Sequence, residues 1–193
     1  MFKSVTTIVM AGAISVAAFA AATTALTAAQ PETTVMVGGA PMFPSKNIVE
    51  NAVNSKDHTT LVAAVKAAGL VDTLKGPGPF TVFAPVNAAF AKLPAGTVET
   101  LLKPENKKAL TGILTYHVVP GRFSADELMQ KASAMGGMVT LKTVQGGTLT
   151  VEKLSDTMLS VTDSKGGKAN ITISNVMQSN GVIHVIDGVL LPS

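Results

Sequence analysis

The chain is 193 residues long, carries a formal net charge of +3 and contains no cysteine, which excludes both a disulfide framework and a lipidated cysteine. Its Lys and Arg residues are scattered among Asp and Glu, and aromatic residues make up 4% of it. Without a basic stripe or a stacking platform, nucleic acid is excluded as a partner.

The first predicted element is an export signal. Lys3 is the only charged side chain before an apolar run from Ile8 to Ala22, and small residues follow to Ala29. A spanning helix takes about 20 predominantly apolar residues, so this shorter, alanine-rich run predicts a signal peptide over 1–29, removed after Ala29 or at an earlier site between Ala22 and Ala29. The 164 residues that remain suit one domain with no membrane span. Residues 30–44, QPETTVMVGGAPMFP, hold three prolines and a glycine pair and read as a flexible linker. The domain proper is expected over 45–193.

From there to Leu114 the pattern is mainly helical. Ser45 is placed as an N-cap ahead of Ile48, Val49, Ala52 and Val53. Leu61, Ala64, Val65 and Ala68 share a face of a second helix that Gly69 stops. Residues 80–84, FTVFA, alternate as a strand that Pro85 ends. Asn87 is positioned to cap a short helix through Phe90, and Pro104 suits the first turn of a helix holding Leu110, Ile113 and Leu114. That helix leads into TYHVV, residues 115–119, read as an apolar strand.

Ser124 and Glu127 have the spacing of a capping box, predicting a helix over about 124–131. Beyond it the period becomes two, with strands expected at 138–143, 148–152, 159–162, 169–174 and 182–186 between glycine-containing turns. Helices first and strands later predict an α+β fold, a sandwich or bent sheet flanked by helices.

Three stretches carry a family resemblance: GPFTVFAPVNAAFAKLP (78–94), LTYHVVPGRFSADEL (114–128) and NGVIHVIDGVLLP (180–192). In content, order and spacing they resemble the fasciclin domain, of the single-domain secreted bacterial type, across 45–193. At Val86-Asn87 the family commonly has Thr followed by Asp or Asn, so a hydroxyl is missing at Val86. The resemblance implies a wedge-shaped α+β domain outside the cytoplasm, secreted or periplasmic. Its implied work is non-catalytic adhesion, through a cell-surface or extracellular protein or glycan, by a monomer without a cofactor. It also associates the Tyr-His segment with receptor binding, which here touches Tyr116 and His117. Arg122 and Phe123, in the connection that follows, complete the candidate contact patch as a cation beside an aromatic. Phe123 has a second reading, as the apolar staple that packs on Leu128 before the Ser124 cap.

The chain has three histidines, His58, His117 and His184, and no Gly-x-Ser-x-Gly turn that would mark a nucleophile. His117 is expected to be a core imidazole whose ring nitrogens each meet a partner, with direct partner contact as its other reading. His184 and Asp187 have ligand-like spacing, but on a strand ending in a turn they do not converge, and Asp187 reads as a turn residue. Met129, Met135 and Met138 are thioethers that suit Cu(I), giving a periplasmic copper site as one alternative, with core filling as their ordinary role. Another alternative is carriage of an apolar small molecule such as a carotenoid, which some fasciclin relatives hold between helices and sheet.

Overall fold

The structure, a computed structural model, describes residues 33–192; the predicted signal peptide lies outside the described residues. Among the described residues, seven α-helices and nine strands follow in the order β1 (Val35–Val37), β2 (Ala40–Met42), α1 (Ile48–Ala52), α2 (Thr59–Ala68), α3 (Val71–Lys75), β3 (Phe80–Pro85), α4 (Asn87–Ala91), α5 (Thr97–Leu101), α6 (Lys107–Tyr116), β4 (Val118–Pro120), α7 (Ala125–Ala134), β5 (Met138–Lys142), β6 (Thr148–Lys153), β7 (Leu159–Thr162), β8 (Lys168–Gln178) and β9 (Gly181–Ile186). The fold is α+β, as its sequence pattern predicts.

Seven strands form one sheet in the order β4-β3-β9-β8-β7-β6-β5, antiparallel except for the β3–β9 pair. That parallel pair is buried on both sides, because both faces are covered. Val82, Ala84, Ile183 and Val185 face a core built with α1, α2 and α6, while Phe83 and Ile186 face a second core built with α7 and β5–β7. β8 serves both halves of the sheet. Its register with β9 shifts twice between Ile171 and Val176, and Asn175 sits at a φ of 57°, bulges that bend the strand. The far edges then meet, where the Val144 N–H donates to the Val118 carbonyl at 2.8 Å.

Four local expectations are corrected. The described part of 30–44 is a docked hairpin, with Val37 and Met42 in the first core. Gly38 and Gly39, at φ of 58° and 75°, make its two-residue turn, so the glycine pair encodes a hairpin rather than slack. The Gly38 carbonyl accepts the Lys56 N–H, and a Cβ on Gly38 would stand 2.3 Å from Ser55 Oγ. Next, Asn47 and not Ser45 caps α1. Its side chain accepts the Glu50 N–H at 3.0 Å while Glu50 accepts the Asn47 N–H at 3.1 Å, a capping box that shifts the helix start by two residues.

Asn87 is the first residue of α4 and Val86 is its cap. The Asn87 carboxamide instead reaches across to accept the Thr60 N–H at 3.0 Å and donate to the Lys56 carbonyl at 2.9 Å, tying α4 to the start of α2. Finally, residues 115 and 116 are helical, and the strand begins at Val118. Leu110 and Leu114 bury one face of α6, and the Thr115 hydroxyl bonds back to the Thr111 carbonyl at 2.7 Å. The strand propensity of these residues yields to that packing.

Candidate functional site

Tyr116 and His117 are 1% and 3% exposed, so neither side chain offers surface. The Tyr116 hydroxyl donates to the Thr148 carbonyl at 2.6 Å and accepts the Ser164 N–H at 3.0 Å. One ring thereby fixes the β5–β6 and β7–β8 turns. His117 ends α6, its Nδ1–H donating to the Ile113 carbonyl at 2.8 Å and its Nε2 accepting the Leu190 N–H at 3.0 Å. One donor and one acceptor define a neutral ring. Burial pushes its pKa down to about 4, against smaller opposing effects of the Ile113 carbonyl and the Asp163 carboxylate.

The remaining histidines are also buried. His184 stacks on Phe83 at 5.7 Å, donates from Nε2 to the Phe123 carbonyl at 2.8 Å and accepts the Asn175 N–H at Nδ1, 3.4 Å. Burial holds its pKa below the ordinary imidazole value. Asp187 is engaged separately: its carboxylate accepts the backbone N–H of Asn170 at 2.7 Å and the side-chain amide of Asn170 at 3.1 Å. Burial alone would raise the Asp187 pKa, but the Asn170 contacts and Lys92 lower it overall. His58 Nδ1 lies 2.8 Å from Ser55 Oγ, and its pKa too is lowered by burial. This pair resembles a nucleophile and base, yet Ser55 is 2% exposed and has Gly38 backbone packed against its hydroxyl. A tetrahedral intermediate has no room there.

The other two candidates do reach the surface. Arg122 is exposed and its guanidinium straps the β8–β9 turn, with Nη2 3.1 Å from the Gln178 carbonyl. Phe123 is half-buried against the second core, and Lys131 Nζ stands 4.4 Å from its ring centroid, a favourable cation–π placement. From Phe123 a surface groove runs between α7 and the β4–β5 edge, walled by Pro120, Val139 and Leu141 with Lys131 and Lys142 beside it. Met135 and Met138 are 68% and 52% exposed near its end, whereas Met129 packs on the second core. The three thioethers are thus divided between surface and interior.

A model of the Fasciclin domain matches residues 56–192. The chain belongs to the fasciclin family. It is 47% identical over 163 residues to Protein sll1483 of Synechocystis, covering 83% of this chain and 82% of the relative. It is 38% identical over 170 residues to Immunogenic protein MPB70 of Mycobacterium bovis, covering 86% and 77%. Against human Periostin the identity is 34% over 148 residues, 77% of this chain but 16% of that larger protein. Among solved structures, a FAS1 domain pair from the insect cell adhesion molecule Fasciclin I superposes with a TM-score of 0.68 at 20% identity, covering 77% of this chain and 52% of that one.

The matched segment starts after the hairpin and α1, which pack into the same first core as the matched residues. Lys131, Lys142 and Met135 are surface features that the sequence reading did not join to Arg122 and Phe123. Their alternation with Leu128, Ala132, Val139 and Leu141 was the available signal, since residues flanking a buried stripe face solvent. Among the described residues no helix is long and apolar enough to cross a membrane, and no three His, Asp or Glu side chains gather as a metal site.

Proposed function

We propose that this fasciclin-family chain is exported and works outside the cytoplasm as a non-catalytic adhesion or interaction module. Its contact surface is the groove around Phe123. The observation that carries this reading is the combination there of Pro120, half-buried Phe123 and exposed Met135 with Lys131 and Lys142, while Arg122 reaches the surface at the adjoining β8–β9 turn. Such a surface suits an extracellular protein or glycan that presents acidic groups beside apolar ones. Tyr116 and His117 serve it indirectly, by fixing the turns and strand ends behind it. Two relatives support the setting: one is named a cell surface glycolipoprotein of Mycobacterium bovis, and the superposed structure belongs to an insect cell adhesion molecule.

Charge reversal tests the surface. Arg122→Glu would also cut the strap to the Gln178 carbonyl, so the cleaner variant is Lys131→Glu with Lys142→Glu. Attachment to surfaces coated with acidic extracellular glycans or proteins is expected to fall by about tenfold, equivalent to roughly 1.4 kcal/mol, while the melting temperature stays near that of the wild type. Unchanged attachment would move the contact surface elsewhere on the domain.

A further inference from the structure

The sheet does not close along the whole of its seam. Where its far edges meet, the Val144 N–H donates to the Val118 carbonyl, and an antiparallel continuation would next set Lys142 against Pro120. Proline has no amide to donate, and β4 and β5 are not paired as neighbours in the sheet. β5 is therefore left as an edge. Its residues 137–143 alternate in direction: the Gly137 carbonyl accepts the Lys153 N–H, the Thr143 N–H donates to the Gly147 carbonyl, and Val139 and Leu141 stand opposite Val151 and Leu149 of β6. By the alternation of an antiparallel ladder, the backbone groups of Met138, Thr140 and Lys142 point away from β6. They meet no hydrogen-bond partner among the described residues. This edge is accessible, because Thr140 and Lys142 are exposed and line the groove around Phe123 together with Val119 and Pro120. A row of unpaired amides and carbonyls is a template for a further strand.

We infer that the β5 edge accepts an extended polypeptide segment as an added strand, one in which acidic and apolar side chains alternate. The inference rests on the reading of this groove as the contact surface and names the form of the partner. The backbone selects a polypeptide, because a row of amides and carbonyls is matched by another peptide chain, whereas a glycan carries no peptide groups at that repeat. Side chains set the pattern. Residues of the added strand opposite Thr140 and Lys142 share their exposed face, so an acidic one pairs with the Lys142 ammonium across the strands. Residues opposite Val139 and Leu141 share the face that α7 covers, where Phe123 and Met135 offer apolar contact and Lys131, with Nζ 4.4 Å from the Phe123 ring centroid, adds a second cation. A second copy of this chain is the poorer match, since its own edge, MVTLK, brings no carboxylate to these lysines.

The blocked peptide Glu-Val-Glu-Val-Glu-Val-Glu is the probe. Calorimetric titration into the purified chain is expected to show saturable one-to-one binding. Methylated peptides then read the backbone with the protein unchanged, because alternate amides of an added strand point towards β5 and the others away. N-methylation of the glutamates alone and of the valines alone is expected to separate the two affinities by about tenfold or more, one peptide keeping its binding and the other losing it. Thr140→Pro removes an outward amide at a position where an edge strand tolerates proline. It is expected to weaken the unmethylated peptide by about tenfold with the melting temperature near that of the wild type. Absence of saturable binding by the wild type, or equal binding of the two methylated peptides, overturns the inference. Dextran sulfate that binds the wild type and Thr140→Pro alike, with no binding of the peptide, would make the partner a glycan and also overturn it. Lys131→Glu with Lys142→Glu separates this inference from the reading beneath it: loss of the peptide in that variant, without any selective effect of methylation, keeps the groove as the contact surface and removes the added strand.

Discussion

At the scale of single residues, burial pushes the pKa values of all three histidines down and favours their neutral forms. His117 shows why: Nε2 accepts the Leu190 N–H while Nδ1–H donates to Ile113, so protonation would set two N–H groups against each other. Its folded pKa of about 4 lies below the ordinary imidazole value of about 6.5. The unfolded chain therefore binds the proton first, and stability is complete above about pH 6.5 and declines as pH falls toward 4. The expected loss across that window is on the order of 3 kcal/mol, at 1.36 kcal/mol for each unit of pKa difference. Urea unfolding at a series of pH values checks this, with His117→Gln as the control that should flatten the dependence. His117→Ala, which strands the buried Leu190 N–H, should cost about 1 to 3 kcal/mol at pH 7. A pH dependence that survives in both variants would shift the effect to His184 or His58.

At the scale of elements, capping decides where helices begin. Asn47 with Glu50 and Ser124 with Glu127 both form closed capping boxes, and the second was legible because Ser-x-x-Glu precedes a clear apolar period. The first was displaced in the reading because Ser45 and Asn47 compete for one role, and only the docking of Ile48 against the core separates them. α4 has the opposite condition: its cap is Val86, extended at φ −74° and ψ 163°, with no side chain to satisfy the first amides. Val86→Thr supplies an acceptor at that position and is expected to gain about 0.5 to 1 kcal/mol, read as a higher urea midpoint with an unchanged slope. A lower midpoint would mean that the valine methyl packed against the first core outweighs the cap.

At the scale of the whole molecule, the first core crosses the boundary drawn at residue 45. Val37 and Met42 are 4% and 3% exposed, and burying two such side chains contributes about 1.5 to 3 kcal/mol each. A chain begun at Ser45 is therefore expected to lose roughly 3 kcal/mol or more relative to one begun at Gln30, as measured by equilibrium denaturation. Equal stability of the two would show that the hairpin lies on the domain without holding it. The same scale explains the sheet: β8 reads as a single short strand in sequence, yet its two bulges let it pair with β7 at one end and β9 at the other.

The sequence alone determined the α+β class, the family resemblance, the strands near 80–84, 159–162 and 182–186, and the cap at Ser124, because each rests on contacts between residues close in the chain. Period, turn chemistry and i to i+3 spacing are local, and they survive without knowledge of the partner. Tertiary structure decided the rest. Residues 115–116 became helix, 35–42 became a docked hairpin, and Asn87 turned from its own helix to Thr60. It also buried Tyr116 and His117 while leaving Arg122 at the surface, although all four patch residues lie within one short motif. The physical reason is that burial depends on what packs from afar: Thr148, Ser164 and Leu190 complete the Tyr116 and His117 bonds, and no local pattern announces partners so distant in the chain.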